Sequence, residues 1–254
     1  MSASDRVQVG VHAGVLTATL NRPDKKNAID TPMIDALRAA LDQADLDDAV
    51  RVVALRGAGA DFCAGMDLTE LLASADQTVD ANRHAALRFG EIFLRMRRIP
   101  KPIVAVVQGR ALAGGCGLAT ACDLVLATES AKLGYPEVQR GFVPAIVMTL
   151  LKRTVGEKVA FDLAATGRIL TGPEAAALGL VSRSYEDSDF EEQVAEVLRA
   201  LVASSASALA FTKQQFYQLD GLRFEDGIRL GADVNAVSRT TPDFRAALQA
   251  FLKK

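Results

Sequence analysis

Apolar and polar positions alternate or cluster over Val7–Val11 and again over Val15–Leu20, with Ala13-Gly14 between them, which predicts a β-hairpin. Asn21-Arg22-Pro23-Asp24 then breaks the pattern. From Thr31 the period changes. Met33, Ile34, Leu37, Ala40 and Leu41 form a helical stripe, with Thr31 expected as N-cap and Pro32 in the first turn. Val52–Leu55 reads as a short buried strand that ends at Gly57-Ala58-Gly59. A longer helix is predicted over about Val79–Arg97, with Leu87, Ile92, Phe93 and Met96 on its apolar side. Pro100 and Pro102 stop it, and Ile103–Val107 follows as another strand. Strand, helix and strand alternate once more through Leu118–Ala127. Such alternation predicts an α/β core whose active loops lie at strand ends.

After Ser184 the strand signal stops, and Phe190–Val202, Leu209–Leu219, Phe224–Val237 and Phe244–Leu252 are all helical in period. Thr171-Gly172-Pro173-Glu174 has the form of a capping box just before this change. The expected division is therefore an α/β core over residues 1–195 and a helical region over 196–254. Helices of that size bury little alone, so they are expected to pack on the core or on a neighbouring subunit.

Composition narrows the class. The 254 residues carry a formal charge of −2 with both signs interspersed, which excludes the basic face of a general nucleic-acid binder. The segment MSASDRVQVG has no apolar signal region, and no apolar run reaches bilayer length. Three cysteines, Cys63, Cys116 and Cys122, are expected as reduced thiols, and His12 and His84 suggest no metal site. The expectation is a cytoplasmic globular protein with no metal, no membrane and no nucleic-acid partner.

The candidate chemistry lies in two glycine-punctuated turns. Gly109-Arg-Ala-Leu-Ala-Gly-Gly-Cys-Gly-Leu-Ala-Thr-Ala-Cys-Asp123 lacks the Lys-Ser/Thr ending of a phosphate loop and the spacing of a dinucleotide fingerprint. It predicts a short helix from about Gly114 to Cys122, whose free N–H groups suit a phosphate or a developing oxyanion. Gly57-Ala-Gly-Ala-Asp-Phe-Cys-Ala-Gly-Met-Asp-Leu68 is a second such turn, also compatible with an ordinary strand-to-helix loop. Together they could aim two main-chain donors at one carbonyl oxygen. Glu137 is the carboxylate that follows; by itself it reads equally as a surface turn residue. Cys63 and Cys116 read as packing residues rather than nucleophiles, His84 as part of a solvated helix face, and Asp123 equally as a residue that helps hold the loop geometry or as a strand-end residue satisfied by main chain.

The segments LNRPDKKNA, DFCAGMDL, GRALAGGCGLATACDLVLA and GYPEVQRGFVPA, in that order, resemble the crotonase, or enoyl-CoA hydratase/isomerase, superfamily. The resemblance runs from Leu20 to the terminal FLKK. It implies a spiral core of ββα units followed by a helical oligomerisation region. It also implies an oxyanion hole made by the N–H groups of Met66 and Gly114, which would hold the thioester oxygen of an acyl-CoA. Two-carboxylate hydratases of the family carry glutamates at the positions of Gly117 and Glu137, and here only Glu137 remains as general acid/base. Gly117 and Ala145 are implied as parts of the active-site wall.

Hydration of a 2-enoyl-CoA is the first reaction implied, because the GCGL and PEVQRGFVPA segments are similar to hydratases acting on branched or carboxylated substrates, such as the methylglutaconyl-CoA hydratase-like branch. Isomerisation of a 3-enoyl-CoA is the second, since one carboxylate suffices for it. A CoA-ester-binding homologue without chemistry is the non-enzymatic alternative. For CoA recognition the resemblance implies Lys25, Lys26, Ala28, Ala64, Asp67 and Leu68, with Phe251 and Lys254 reaching CoA from an adjacent subunit. No separate cofactor is implied, because coenzyme A enters with the substrate, and the expected assembly is a homotrimer or a dimer of trimers. Apolar residues in place of glycines after Pro144 are expected to raise the pKa of Glu137 if that carboxylate is buried beside them.

Overall fold

A computed structural model describes residues 6–253. The hairpin forms as its alternation requires: β1 (Val7–His12) pairs antiparallel with β2 (Val15–Leu20). Ala13 and Gly14 both take positive φ, 47° and 80°, as a tight hairpin turn demands. β2 then begins a parallel run through β3 (Val52–Gly57), β4 (Ile103–Val107), β6 (Leu124–Thr128) and β9 (Arg183–Tyr185). Between these lie the three-residue strands β5 (Arg110–Leu112), β7 (Lys132–Gly134) and β8 (Ile169–Thr171), which form a separate sheet in the order β5-β7-β8.

The connecting helices are α1 (Thr31–Leu46), α2 (Leu68–Ala73), α3 (Val79–Arg98), α4 (Gly114–Thr120), α5 (Ala145–Val155), α6 (Glu157–Thr166) and α7 (Gly172–Ala177). The chain repeats one course: a strand in the large sheet, a short segment at the small sheet, then helix. β4-β5-α4 and β6-β7-α5 follow it. β3 does so too, because Cys63 bridges Ala111 of β5 before α2 begins. This is the spiral of ββα units that the resemblance implies.

Successive side chains of the central strands divide between two apolar layers, as a sheet covered on both faces requires. Val53, Leu55, Ile103, Ala105 and Val107 join α1, α3 and α4 in the main core. Val52, Ala54, Val104, Val106 and Leu126 face Phe190, Val194 and Val197 of α8 (Phe190–Ala203). The sequence-based division at residue 195 therefore falls inside a helix that seals the large sheet. α9 (Ala206–Gln218), α10 (Phe224–Ser238) and α11 (Pro242–Leu252) complete the chain, with α9 packed against α10, α11 and α3.

Helix boundaries differ from expectation in small, explicable ways. The cap of α1 is Asp30, not Thr31: its Oδ1 accepts the Met33 N–H at 2.9 Å, and Thr31 is already helical. Thr171 and Glu174 make both hydrogen bonds of the expected capping box on α7. α4 ends at Thr120, short of Cys122. Among the described residues no single helix is long and apolar enough to cross a membrane, and no cluster of His, Cys, Asp or Glu is arranged to hold a metal ion.

Candidate active site

Three loops meet edge to edge. Asp67 donates its N–H to Ile29 O, and Ile29 donates to Gly65 O, both at 2.8 Å, so residues 26–29 run alongside 63–67. On the other side Cys63 donates to Arg110 O at 2.8 Å and Leu112 to Cys63 O at 2.9 Å. Asn27 locks the first loop, fully buried at φ 54°, with its side-chain amide donating to Ala58 O and Asp61 O. Gly115 lies so close to the second loop that a Cβ there would sit 2.3 Å from Cys63 O, a contact only glycine permits. The two glycine-punctuated turns are thus neighbours in space.

The consequence is a pair of adjacent main-chain donors. Met66 lies between the two hydrogen bonds of the Ile29 bridge, and its N–H donates to no backbone acceptor among the described residues. Gly114 is the first residue of α4, where an N–H has no intrahelical partner. A Cβ on Gly114 would lie 3.6 Å from Met66 Cγ and Sδ, and one on Gly65 3.6 Å from Gly114 N. Ala113 precedes this turn at φ 52° and ψ −126°, a strained conformation for a residue with a Cβ, held by its N–H bond to Gly134 O at 2.8 Å. That bond also carries the turn to β7, and so towards Glu137.

Glu137 sits in a 3₁₀ turn, Pro136–Arg140, three-residue strand β7 and Tyr135 leading into it. It is 7% exposed, which excludes the surface-turn reading, and its Oε2 is buried without a hydrogen-bond partner among the described residues. Burial pushes its carboxyl above the ordinary glutamate range, against the opposing effects of its own backbone N–H and of Arg140. An unpaired carboxylate of raised basicity is what a proton-transfer step needs.

The surrounding wall is apolar. Phe89 and Phe93 of α3 stack edge to face with centroids 4.8 Å apart. A Cβ on Gly114 would touch Phe89 at 3.5 Å, and one on Gly90 would lie 3.7 Å from Ile146. At Gly117 a Cβ would fall 2.1 Å from Val147 Cγ1. The space into which a side chain at 117 would project is filled by valine. Ala145 itself is exposed at the start of α5; Ile146 and Val147 make these wall contacts.

The other singled-out residues fall into two groups. Lys25 and Lys26 are exposed, Ala28 and Ala64 half-buried, and Ala64 donates to Lys26 O at 2.9 Å, so these lie together beside the donor pair. Asp67 and Leu68 follow directly. The Asp67 carboxylate accepts from Thr69 N at 2.8 Å and from Arg22 at 2.9 Å. Partial burial pushes its carboxyl up, but Thr69 and Arg22 outweigh that and hold it below the usual range. Phe251 is three-quarters exposed on α11, and Lys254 lies outside the described residues. Cys63, Cys116 and Cys122 are buried, and burial pushes the first two thiols up to about 12, so all behave as packing residues. His84 is exposed on α3, bonded to Asp80 O.

Sequence reasoning missed Phe89 and Tyr135. Both sit on elements it either found or bracketed, but neither carries a spacing signal.

Two neighbouring main-chain donors, tied through β7 to the segment that carries one buried carboxylate, suit the class of enzymes that transfer protons on a carbonyl compound, and comparison with known proteins makes the class specific. The family model described as Enoyl-CoA hydratase/isomerase matches residues 10–254. A Thermus thermophilus protein carrying a provisional enoyl-CoA hydratase name is 41% identical over 94% of this chain and 95% of its own. The 1,2-epoxyphenylacetyl-CoA isomerase of Escherichia coli is 30% identical over 96% of this chain and 94% of its own. The crystal structure of an enoyl-CoA hydratase from Mycobacterium smegmatis superposes with a TM-score of 0.93 at 30% identity, covering 98% of this chain and 96% of that one. The chain belongs to the enoyl-CoA hydratase/isomerase family, and its fold is the crotonase fold.

Proposed function

We propose that this protein is an enzyme that moves a proton on an enoyl-CoA thioester, with 3-enoyl-CoA to 2-enoyl-CoA isomerisation as its reaction. The observation that carries this reading is Val147: it fills the space at Gly117, so Glu137 has no second carboxylate beside it. In the forward step the Glu137 carboxylate takes the proton from C2, the C2–H electron pair becomes part of a dienolate, and the thioester oxygen takes up the charge. The N–H groups of Met66 and Gly114 hold that oxygen, each such donor contributing about 3 kcal/mol. Glu137 then returns the same proton to C4, leaving the double bond between C2 and C3. Atoms and charge balance with one acid/base group.

Hydration of a 2-enoyl-CoA is the second reading, favoured by the hydratase name of the Thermus thermophilus relative. It asks Glu137 both to activate water for C3 and to protonate C2. The apolar wall of Phe89, Phe93, Ile146 and Val147 suits an uncharged acyl group better than a carboxylated one. Lys25 and Lys26 supply exposed cations for the CoA phosphates. A panel of 3-enoyl-, 2-enoyl- and branched enoyl-CoA with the wild type and Glu137→Gln tests the assignment. Turnover of the 3-enoyl ester that Glu137→Gln abolishes is expected. Turnover indifferent to that change would sink the mechanism, and tight binding without any turnover would favour the non-enzymatic homologue.

The assembly we propose is a homotrimer or a dimer of trimers. Phe216, Phe224, Ile228 and Phe251 leave apolar surface exposed on α9, α10 and α11, as an unpaired interface does. Light scattering of the full chain counts the copies; a monomer at micromolar concentration contradicts this.

A further inference from the structure

Tyr135 is the largest fully buried side chain in the described chain, and the reaction as written does not use it. Its hydroxyl lies 2.7 Å from Thr120 Oγ1. Thr120 spends its single proton on Cys116 O at 2.8 Å, so Tyr135 is the donor in the first bond. Thr120 and Cys116 both belong to α4, whose first residue is Gly114. Tyr135 stands two positions before Glu137, at the entry to the 3₁₀ turn that presents it. One buried hydroxyl therefore joins the segment carrying the carboxylate to the helix carrying an oxyanion donor. At the other end of α4 the Ala113 N–H makes a second tie to β7, through Gly134 O.

We propose that Tyr135 is a positioning residue, whose hydroxyl bond to Thr120 fixes the Glu137 carboxylate relative to the Gly114 N–H. The proposal rests on the proton-transfer role of Glu137 given above. The electrostatics agree with close quarters: burial chiefly raises the Tyr135 hydroxyl and the Cys116 thiol, and the charge of Glu137 adds to both. A phenylalanine would fill the same volume, so the hydroxyl can be removed with little loss of packing. Thr120 Oγ1 would lose its donor, and the carboxylate segment would be free to drift. Drift of about 1 Å in a reacting group costs up to about a hundredfold in rate.

The test uses exchange of the C2 hydrogen of butyryl-CoA in D2O, followed by mass spectrometry, together with kcat and KM on a 3-enoyl-CoA. For Tyr135→Phe the expected result is exchange and kcat lower by about tenfold, with KM within about twofold. Thr120→Val removes the same bond from the other side and should match it. The double variant should then be little worse than either single one. Should Tyr135→Phe fail to fold, Thr120→Val carries the test alone. Exchange and kcat within about twofold of wild type in both variants, while Glu137→Gln abolishes exchange, would overturn the proposal and leave the catalytic reading standing. Losses that appear in KM, or that multiply in the double variant, would also overturn it. Exchange surviving Glu137→Gln would remove both.

Discussion

Asp123 and Glu137 are carboxylates on either side of the β6-β7 course, and their surroundings are opposite. Asp123 accepts three hydrogen bonds: from Ile103 N, from Lys213 Nζ and from the Tyr217 hydroxyl, each at 2.7 Å. Lys213, almost wholly buried, also donates to Lys101 O at 2.9 Å, and Arg97 lies over the Tyr217 ring at 4.5 Å. That cluster ties α9 to the start of two central strands. Glu137 is the more enclosed of the pair, yet one of its oxygens has no partner. A buried acceptor left open costs about 1–3 kcal/mol, whereas a filled one can hold distant elements together. The first carboxylate is tied for cohesion; the second, on the proposed mechanism, is kept available for a proton.

Four measurements can break this contrast. The largest effect belongs to Glu137→Gln, which should lower kcat by about a thousandfold or more with KM for the CoA ester little changed. In the wild type the acid limb of the kcat/KM profile should lie above the ordinary glutamate value of about 4.3, because burial raises the group that must be ionised to accept a proton. A limb at the ordinary value would place the carboxylate in water.

Lys213→Met comes second. It leaves Asp123 with two donors and no cation, and should cost about 3 kcal/mol, seen as a fall in Tm of roughly 6–12 °C. Activity per folded molecule should stay close to wild type. A large kcat loss in folded Lys213→Met would show that the cohesive carboxylate also serves the reaction.

The smallest effect is the stability of Glu137→Gln. A carboxyl whose folded pKa is raised contributes stability below its unfolded value and loses it as pH rises through the folded one. At pH 7 the ionised side chain therefore weighs against the fold, and replacing it should raise Tm by on the order of 2 °C. The gain should shrink as pH falls towards about 4.3. A Tm that falls at pH 7 would mean that Glu137 is a structural acceptor like Asp123.

Much of the architecture could be read from the chain because its signals are local. The hairpin, the α7 capping box, Ile103–Val107 and the C-terminal helices all stand within a residue or a few of where periodicity places them. The second sheet was not legible, since β5, β7 and β8 have three residues each and no alternation to detect. The α1 cap moved by one residue because Asp30 and Thr31 are both good caps, and only the backbone decides between them. Asp123 reads from the sequence equally as a holder of loop geometry or as a strand-end residue satisfied by main chain. Ile103 N does satisfy it in part, but Lys213 and Tyr217 lie far along the chain on α9. Met66, Gly114 and Glu137 came from a resemblance in ordered motifs; the plug at Val147 and the Tyr135–Thr120 hydrogen bond needed coordinates.

On the proposed mechanism the oxygen-holding donors belong to the main chain, and this sets how the protein can change by mutation. Every residue except proline brings an N–H, so almost any codon at position 66 leaves that donor in being. Position 137 has no such redundancy, because a single base change can erase the carboxylate. Inheritance therefore protects the polarising half of the site and exposes the proton-moving half. On that mechanism, new chemistry in this scaffold is most accessible by exchanging acids and their neighbours over main-chain donors that come with the fold.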